Sequence, residues 1–375
     1  MNARIARVDA FPVCYPVAGR FKFFEGPHGR AGRYSVLVKL TADSGAVGWG
    51  QCVPSPRWSY ETLESVYYTI TRYLAPLLVG ANPHDHEAIF QAMNREIAPS
   101  FSTGQPVCKA GIDLALFDLA GRLLGQNAAQ GWSRRGLGRL SISYTLNPKS
   151  IDDIDPMVAE GRAKGYRHFN VKIAPDLAFD LELCRRVKKL VPDGFLWADA
   201  NGGYDEAAAL EAAPKLADIG VAVLEQPLPA NRLEGYRRLK QQAALPILMD
   251  EGIVSSVELE EFIKLRLLDG VAMKPARCGG LAECRRQIEI VLREGLMFLG
   301  SGLSDPDLAL AGSLILYGAY GLAYPAALNG CQFLQGSILA QPFAVQDGFL
   351  PVPTGPGLGA QVDEAKIPQY LVRDI

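Results

Sequence analysis

Residues 169–200, FNVKIAPDLAFDLELCRRVKKLVPDGFLWADA, decide how the chain folds. An apolar run (Phe169–Ile173) is followed by a segment with apolar residues at helical spacing and charges on its other face (Leu181–Val191), then by a second apolar run (Phe195–Ala200). That is the pattern of a strand, a crossover helix and a parallel strand. Further short apolar runs occur at Ser141–Leu146, Val221–Glu225, Ile247–Asp250, Val271–Lys274, Met297–Gly300 and Ala326–Leu328, and successive runs start about 25 residues apart. Amphipathic segments such as Ala207–Ile219, Ser256–Leu267 and Cys284–Arg293 lie between them. Repetition at this length closes a barrel rather than an open sheet, so the fold class is α/β, a (β/α)7β TIM-like barrel.

The barrel repeat does not reach the first third of the chain. SVLVKL (35–40) followed by TADSGAVGWGQ (41–51) reads as a hairpin, and residues 59–78 and 107–125 read as helices, so an α+β unit precedes the barrel. The closing segment DGFLPVPTGPGLGAQVDEAKI (347–367) is too rich in Pro and Gly for another βα unit. The expected division is 1–135 for an α+β capping domain, 136–340 for the barrel, and 341–375 for a tail returning to the cap.

With 49% hydrophobic and 21% charged residues and a formal charge of −2, the 375-residue chain is globular in composition and has no basic footprint for nucleic acid or an anionic membrane. The first residues lack the apolar core of a signal peptide, and no apolar stretch is long enough to span a bilayer, so a cytoplasmic location and a small-molecule partner are expected. The seven cysteines are scattered, with no C-x-x-C pair, which points to buried thiols rather than a disulfide framework or zinc site.

The C-terminal ends of barrel strands face the active site, so charge there is informative. The second strand ends in Lys172, the third in Asp199 followed by Asn201, the fourth in Glu225, the fifth in Asp250 and Glu251, and the sixth in Lys274. Asp199, Glu225 and Asp250 would repel one another unless a cation joined them, and an all-oxygen set suits Mg²⁺. Lys172 and Lys274 flank the set on opposite sides, where a metal and a second cation can lower an amine's pKa toward neutral and fit it for proton transfer. Asn170, Asn201, Glu251, Ser301 and Asn329 are expected to line or support the same site.

NVKIA (170–174), ADANGGY (198–204), LEQPL (224–228), MDEGI (249–253) and MKPARCGGL (273–281) together resemble the enolase superfamily, and within it the muconate lactonizing enzyme subgroup of the mandelate racemase family. The resemblance spans the chain, including AGIDLALFDLAGRLLG (110–125) and PGLG (356–359). It implies Mg²⁺ on Asp199, Glu225 and Asp250, a carboxylate substrate passing through an enediolate, Lys172 and Lys274 as acid and base on opposite faces, and a homo-oligomer. The mandelate racemase type uses an Asp–His pair on later strands, and none of His28, His84, His86 and His168 stands at those positions.

Departures from the pattern bear on substrate. The first lysine of the family's K-x-K is Asn170 here, the loop after the seventh strand reads GSGLSDPDL with Ser304, Asp305 and Asp307 unassigned, and the eighth-strand Asp-x-Asp of dipeptide epimerases is replaced by Ala327-Leu328-Asn329. Phe21, Phe23, Phe24, Trp58 and Tyr60 are candidates to line the capping loops. The expected activity is racemisation or epimerisation of an N-substituted amino acid or similar carboxylate. The alternatives are cycloisomerisation of a muconate-like diacid, syn-dehydration of a hydroxy acid, and carboxylate binding without turnover.

Overall fold

The computed structural model describes residues 3–19, 24–26, 30–100, 102–132 and 136–375. Strands β1 (Ile5–Tyr15), β2 (Arg33–Ala42) and β3 (Val47–Cys52) form an antiparallel sheet in that order. β2 and β3 are the expected hairpin. β1 was not expected: it carries Asp9 and Pro12, and proline is tolerated because β1 is at the sheet edge.

One face of this sheet lies on the helix Pro106–Leu124, at backbone contact. A side chain on Gly50 would place its Cβ 2.0 Å from the Gly111 carbonyl, and one on Gly111 would meet the Cys52 sulfur at 2.2 Å, so glycine is required by space on both elements. Pro106 opens the helix where a missing N–H costs nothing, the Glu61 carboxylate accepts from the exposed N–H groups of Val107 and Cys108 (2.8 Å each), and Gly125 closes it at φ 64°. The helix His86–Glu96, absent from the sequence reading, packs nearby.

After β4 (Arg139–Ser141) come β5 (Ser143–Leu146), β6 (His168–Lys172), β7 (Leu196–Asp199), β8 (Val223–Glu225), β9 (Ile247–Met249), β10 (Gly270–Met273) and β11 (Met297–Gly300), with β5 to β11 in one parallel sheet in sequence order. β12 (Phe349–Pro351) pairs with β4 instead, so the run 141–146 expected as one strand is two, broken at Ile142. The expected eighth strand is reduced to two parallel bridges, Ala326 to Ile142 and Ala327 to Ser301, which link the ends of the sheet. Helices fill the intervals, among them Leu177–Leu190, Glu206–Ile219, Ser256–Lys264 and Leu281–Arg293, and none is long and apolar enough to cross a membrane among the described residues.

The two-residue period of a strand places the site. Trp197, Val223, Leu248, Ala272, Leu299 and Ala327 form one buried apolar layer inside the barrel. Two residues beyond each stands Asp199, Glu225, Asp250, Lys274, Ser301 or Asn329, and on β6 Asn170 precedes Lys172 by the same step. One pleat therefore separates an apolar plug from a polar floor.

The tail runs back over the first sheet and its helix: Leu358 N–H donates to Asp118 (2.8 Å), Arg122 donates to the Ala360 carbonyl (2.7 Å), and Cys14 N–H donates to the Tyr370 carbonyl (2.8 Å).

Candidate active site

Asp199, Glu225 and Asp250 are at most 2% exposed, and each offers a carboxylate oxygen, all three within 4.8 Å of one another. They come from neighbouring strands: Lys172 pairs with Asp199 and Asp199 with Glu225, while Asp250 stands two residues beyond Leu248, the partner of Glu225. The Lys172 amine contacts Asp199 at one end of the row, and the Lys274 amine contacts Asp250 at the other. The amines thus bracket the acids.

Charge is shared unevenly. Burial acts to raise the Asp250 pKa, but Lys274 and Arg277 hold it down at about 2. Glu225 sits between the other two acids with Lys274 only at 3.9 Å; burial and then repulsion from Asp199 and Asp250 push its carboxyl well above the ordinary range. Its Oε1 is buried and accepts no hydrogen bond among the described residues. Glu251 is pushed up to about 8 by burial and by Asp250 and Asp199, and its Oε2 is likewise buried without a partner. The locality holds more buried acid than its cations satisfy, the condition a divalent cation relieves.

Burial works to lower the Lys172 pKa, but Asp199, Glu225 and Asp250 together hold it above its ordinary value. The lowered amine that the sequence leads one to expect belongs to a site holding a cation. With the acids carrying their own charge, the shift runs upward.

The remaining expected residues gather here too. Asn201 has a backbone φ of 43°, donates its N–H to Asp199 (2.9 Å), and buries an Nδ2 that has no partner among the described residues. Asn170, Ser301 and Asn329 line the cavity above the triad with Trp58, which belongs to the loop after β3 and whose ring centroid lies 5.0 Å from the Lys274 amine.

Other expectations separate. Tyr60 is 64% exposed and donates to the Thr103 carbonyl, while Phe24 packs against Phe333. Phe21 and Phe23 lie outside the described residues. Ser304 lines the site, whereas Asp305 accepts from Leu303 N–H and the Ser313 hydroxyl. Asp307 binds the Ser337 hydroxyl and Ile338 N–H, and lines a larger cavity of about 430 Å³ beside the tail, lined by neither the triad nor Lys172 and Lys274.

Two supporting residues escaped the sequence reading. Arg277, 2% exposed, contacts Asp250 and donates to the Ala272 carbonyl (2.9 Å). Gln226, fully buried with φ 39°, accepts from Asp250 N–H (2.8 Å) and donates to the Tyr236 hydroxyl (2.7 Å), so it ties the end of β8 to that of β9. Their signal was position: each lies within three residues of a strand-end charge, in an apolar setting where a long polar side chain needs buried partners.

The model for the enolase C-terminal domain-like family matches residues 156–366, and that for the mandelate racemase / muconate lactonizing enzyme N-terminal domain matches residues 28–130. The chain belongs to the mandelate racemase / muconate lactonizing enzyme family. It is therefore an enzyme of the enolase superfamily, whose members bind a divalent metal through an acidic triad of the kind seen here. Within this family it is 32% identical over 344 residues to chloromuconate cycloisomerase CbnB of Cupriavidus necator, covering 89% of this chain and 90% of that one. To the N-succinyl-L-Arg/Lys racemase of Bacillus cereus it is 29% identical over 283 residues, 74% of each chain. Among solved structures, 2-chloromuconate cycloisomerase from Rhodococcus opacus superposes with a TM-score of 0.90 at 26% identity, covering 99% of this chain and 100% of that one. Fold and family membership thus extend over both the cap and the barrel.

Proposed function

We propose that the chain transfers a proton at the carbon α to a carboxylate, with Mg²⁺ held by Asp199, Glu225 and Asp250 and with Lys172 and Lys274 as the paired base and acid. The observation that carries this reading is the row itself: three acids with an amine at each end. The donor set fits the ion, because all three ligands are hard oxygens and Glu225 Oε1 is buried and accepts no hydrogen bond among the described residues. When bound, the cation would polarise the substrate carboxylate and offset the negative charge that builds as the α-proton leaves.

The protein's own groups do the rest. The lysines approach from opposite ends of the triad, so a carbon between them can lose a proton to one amine and regain one from the other. The base starts as neutral amine and ends as ammonium; the acid does the reverse. Such an exchange inverts the carbon, which favours racemisation or epimerisation. The neutral lining of Asn170, Ser301 and Asn329 has no carboxylate pair for an α-ammonium, in keeping with an N-substituted amino acid. A second reading, cycloisomerisation of a muconate-like diacid, is favoured by the likeness to chloromuconate cycloisomerases and needs one amine to deliver or remove the proton.

One experiment separates them. Both enantiomers of a panel of N-succinyl amino acids, together with cis,cis-muconate, are incubated with enzyme and Mg²⁺ in D₂O and followed by proton NMR. Loss of the α-proton signal from both enantiomers supports the racemase. Conversion of muconate without α-exchange selects the cycloisomerase, and no change in any compound removes the proposal.

A further inference from the structure

Four polar side chains, none hydrogen-bonded to the triad among the described residues, form a one-way chain along the wall of the site. Thr145 on β5 is the register partner of Asn170 on β6. The Ser304 hydroxyl donates to Asn329 Oδ1 (2.9 Å), Asn329 Nδ2 donates to Thr145 Oγ1 (3.1 Å), and the Thr145 hydroxyl donates to Asn170 Oδ1 (2.8 Å). All four residues are at most 8% exposed. A hydroxyl has a single proton, so once Thr145 gives its own to Asn170 it can only accept from Asn329, and the direction of the chain is common to all its links. The end of β5 is itself fixed, since the Gln332 amide accepts from Thr145 N–H (3.0 Å) and donates to its carbonyl (2.8 Å).

The consequence falls on Asn170. With Oδ1 occupied by Thr145, and the Ser143 hydroxyl at 3.4 Å, its Nδ2 is turned to the cavity that it lines with Lys172 and Glu225. Among the described residues Nδ2 donates to no protein acceptor. A chain running the other way would present the amide carbonyl instead and invite a donor. The floor of the site is therefore a neutral hydrogen-bond donor whose orientation is set from as far away as the loop after β11.

We infer that Ser304, Asn329 and Thr145 are positioning residues that lock the Asn170 amide with its N–H toward the substrate, so that this end of the site selects an oxygen acceptor, carboxylate or acyl carbonyl, and rejects an ammonium. The inference rests on the proposed carboxylate chemistry for its substrate class. It is tested by a binding measurement that needs no turnover. Malonate is titrated calorimetrically into the Mg²⁺-loaded parent and into T145V, T145S and N170D. T145V keeps the shape of the side chain and replaces the hydroxyl, so it should weaken malonate roughly tenfold or more, the scale of a lost hydrogen bond to a charged group; it also leaves Asn329 Nδ2 without its acceptor, so its melting temperature should fall, and affinity is read well below that temperature. T145S retains the hydroxyl and should restore parental affinity, which a purely structural role for the methyl group would not do. N170D exchanges donors for acceptors and should bind worst. Parental affinity in T145V, binding by N170D equal to or tighter than the parent's, or no malonate binding by the parent would each overturn the inference. Absence of α-proton exchange across the substrate panel would instead remove the functional reading and leave this binding result standing.

Discussion

Nζ of Lys274 lies 3.9 Å from Oε1 of Glu225, beyond hydrogen-bond reach, while the same amine contacts Asp250. Glu225 is thus the acid of the triad that its neighbours leave least compensated, and its removal should act in opposite directions on two properties. In Glu225→Gln the metal-free protein should gain stability, by roughly 1–3 kcal/mol for relief of a buried unsatisfied polar group, while the rise in melting temperature produced by Mg²⁺ in the parent should disappear. Differential scanning calorimetry with and without Mg²⁺ reads both effects. A less stable metal-free variant would contradict the charge assignment.

The two lysines have distinct consequences if they serve opposite faces. Lys172→Ala and Lys274→Ala should each abolish racemisation, with a loss of at least about 10²-fold expected for removal of a general acid or base. Each should still exchange the α-proton of a single enantiomer, and the two variants should differ in which one. Deuterium incorporation into separated enantiomers is the measurement. Parental exchange of both enantiomers in either variant would rule out the paired arrangement.

Arg277 holds Asp250 from behind, away from the substrate cavity. Replacing it by Met should destabilise the fold by about 3–5 kcal/mol, since one partner of a buried ion pair is left behind. Urea midpoints of the parent and R277M test this, and R277K should recover part of the loss.

Asp113, on the helix Pro106–Leu124, reaches across to the barrel and accepts from the Leu281 and Ala282 N–H groups at the start of the helix Leu281–Arg293 (2.6 and 3.3 Å). Burial, opposed by those two N–H groups, pushes its carboxyl from an ordinary 3.8 up to about 7. The folded state therefore binds more protons than the unfolded one between these values, and its contribution to stability is full below about pH 4 and is lost as pH rises toward 7, with a slope of up to about 1.4 kcal/mol per pH unit for one proton. Asp113→Asn should remove that slope. Urea midpoints at pH 5 and pH 7 for both proteins, compared as a difference, decide it; an identical pH dependence would contradict the shift.

Much of this was legible because the barrel writes its site in a period of two. An apolar residue in the plug and a charge two places later recur in WAD, VLE and LMD, ending at Asp199, Glu225 and Asp250, and the repeat of about 25 residues marked where to look. The cap was harder to read. In β1, Pro12 and Asp9 obscure the strand pattern, and the tail that lies along its edge is remote in sequence: Val372 N–H donates to the Pro12 carbonyl at 2.9 Å. The eighth strand failed for a different reason, since Ala326 and Ala327 are held by single bridges on either side rather than by a ladder. Arg277 and Gln226 were invisible as site residues because their partners, Asp250 and its backbone N–H, lie on a neighbouring strand. Aromatic residues near the loops gave no means of separating Trp58, which covers Lys274, from Tyr60, which faces solvent.

The proposed chemistry requires one divalent ion among Asp199, Glu225 and Asp250 with an amine on each side. Its most direct test is a crystal structure with Mn²⁺ in place of Mg²⁺, using the anomalous signal to locate the ion. A single strong peak is expected within about 2.0–2.3 Å of an oxygen from each of the three acids, with Lys172 and Lys274 on opposite sides of it. A peak elsewhere, or none at millimolar Mn²⁺, would contradict it.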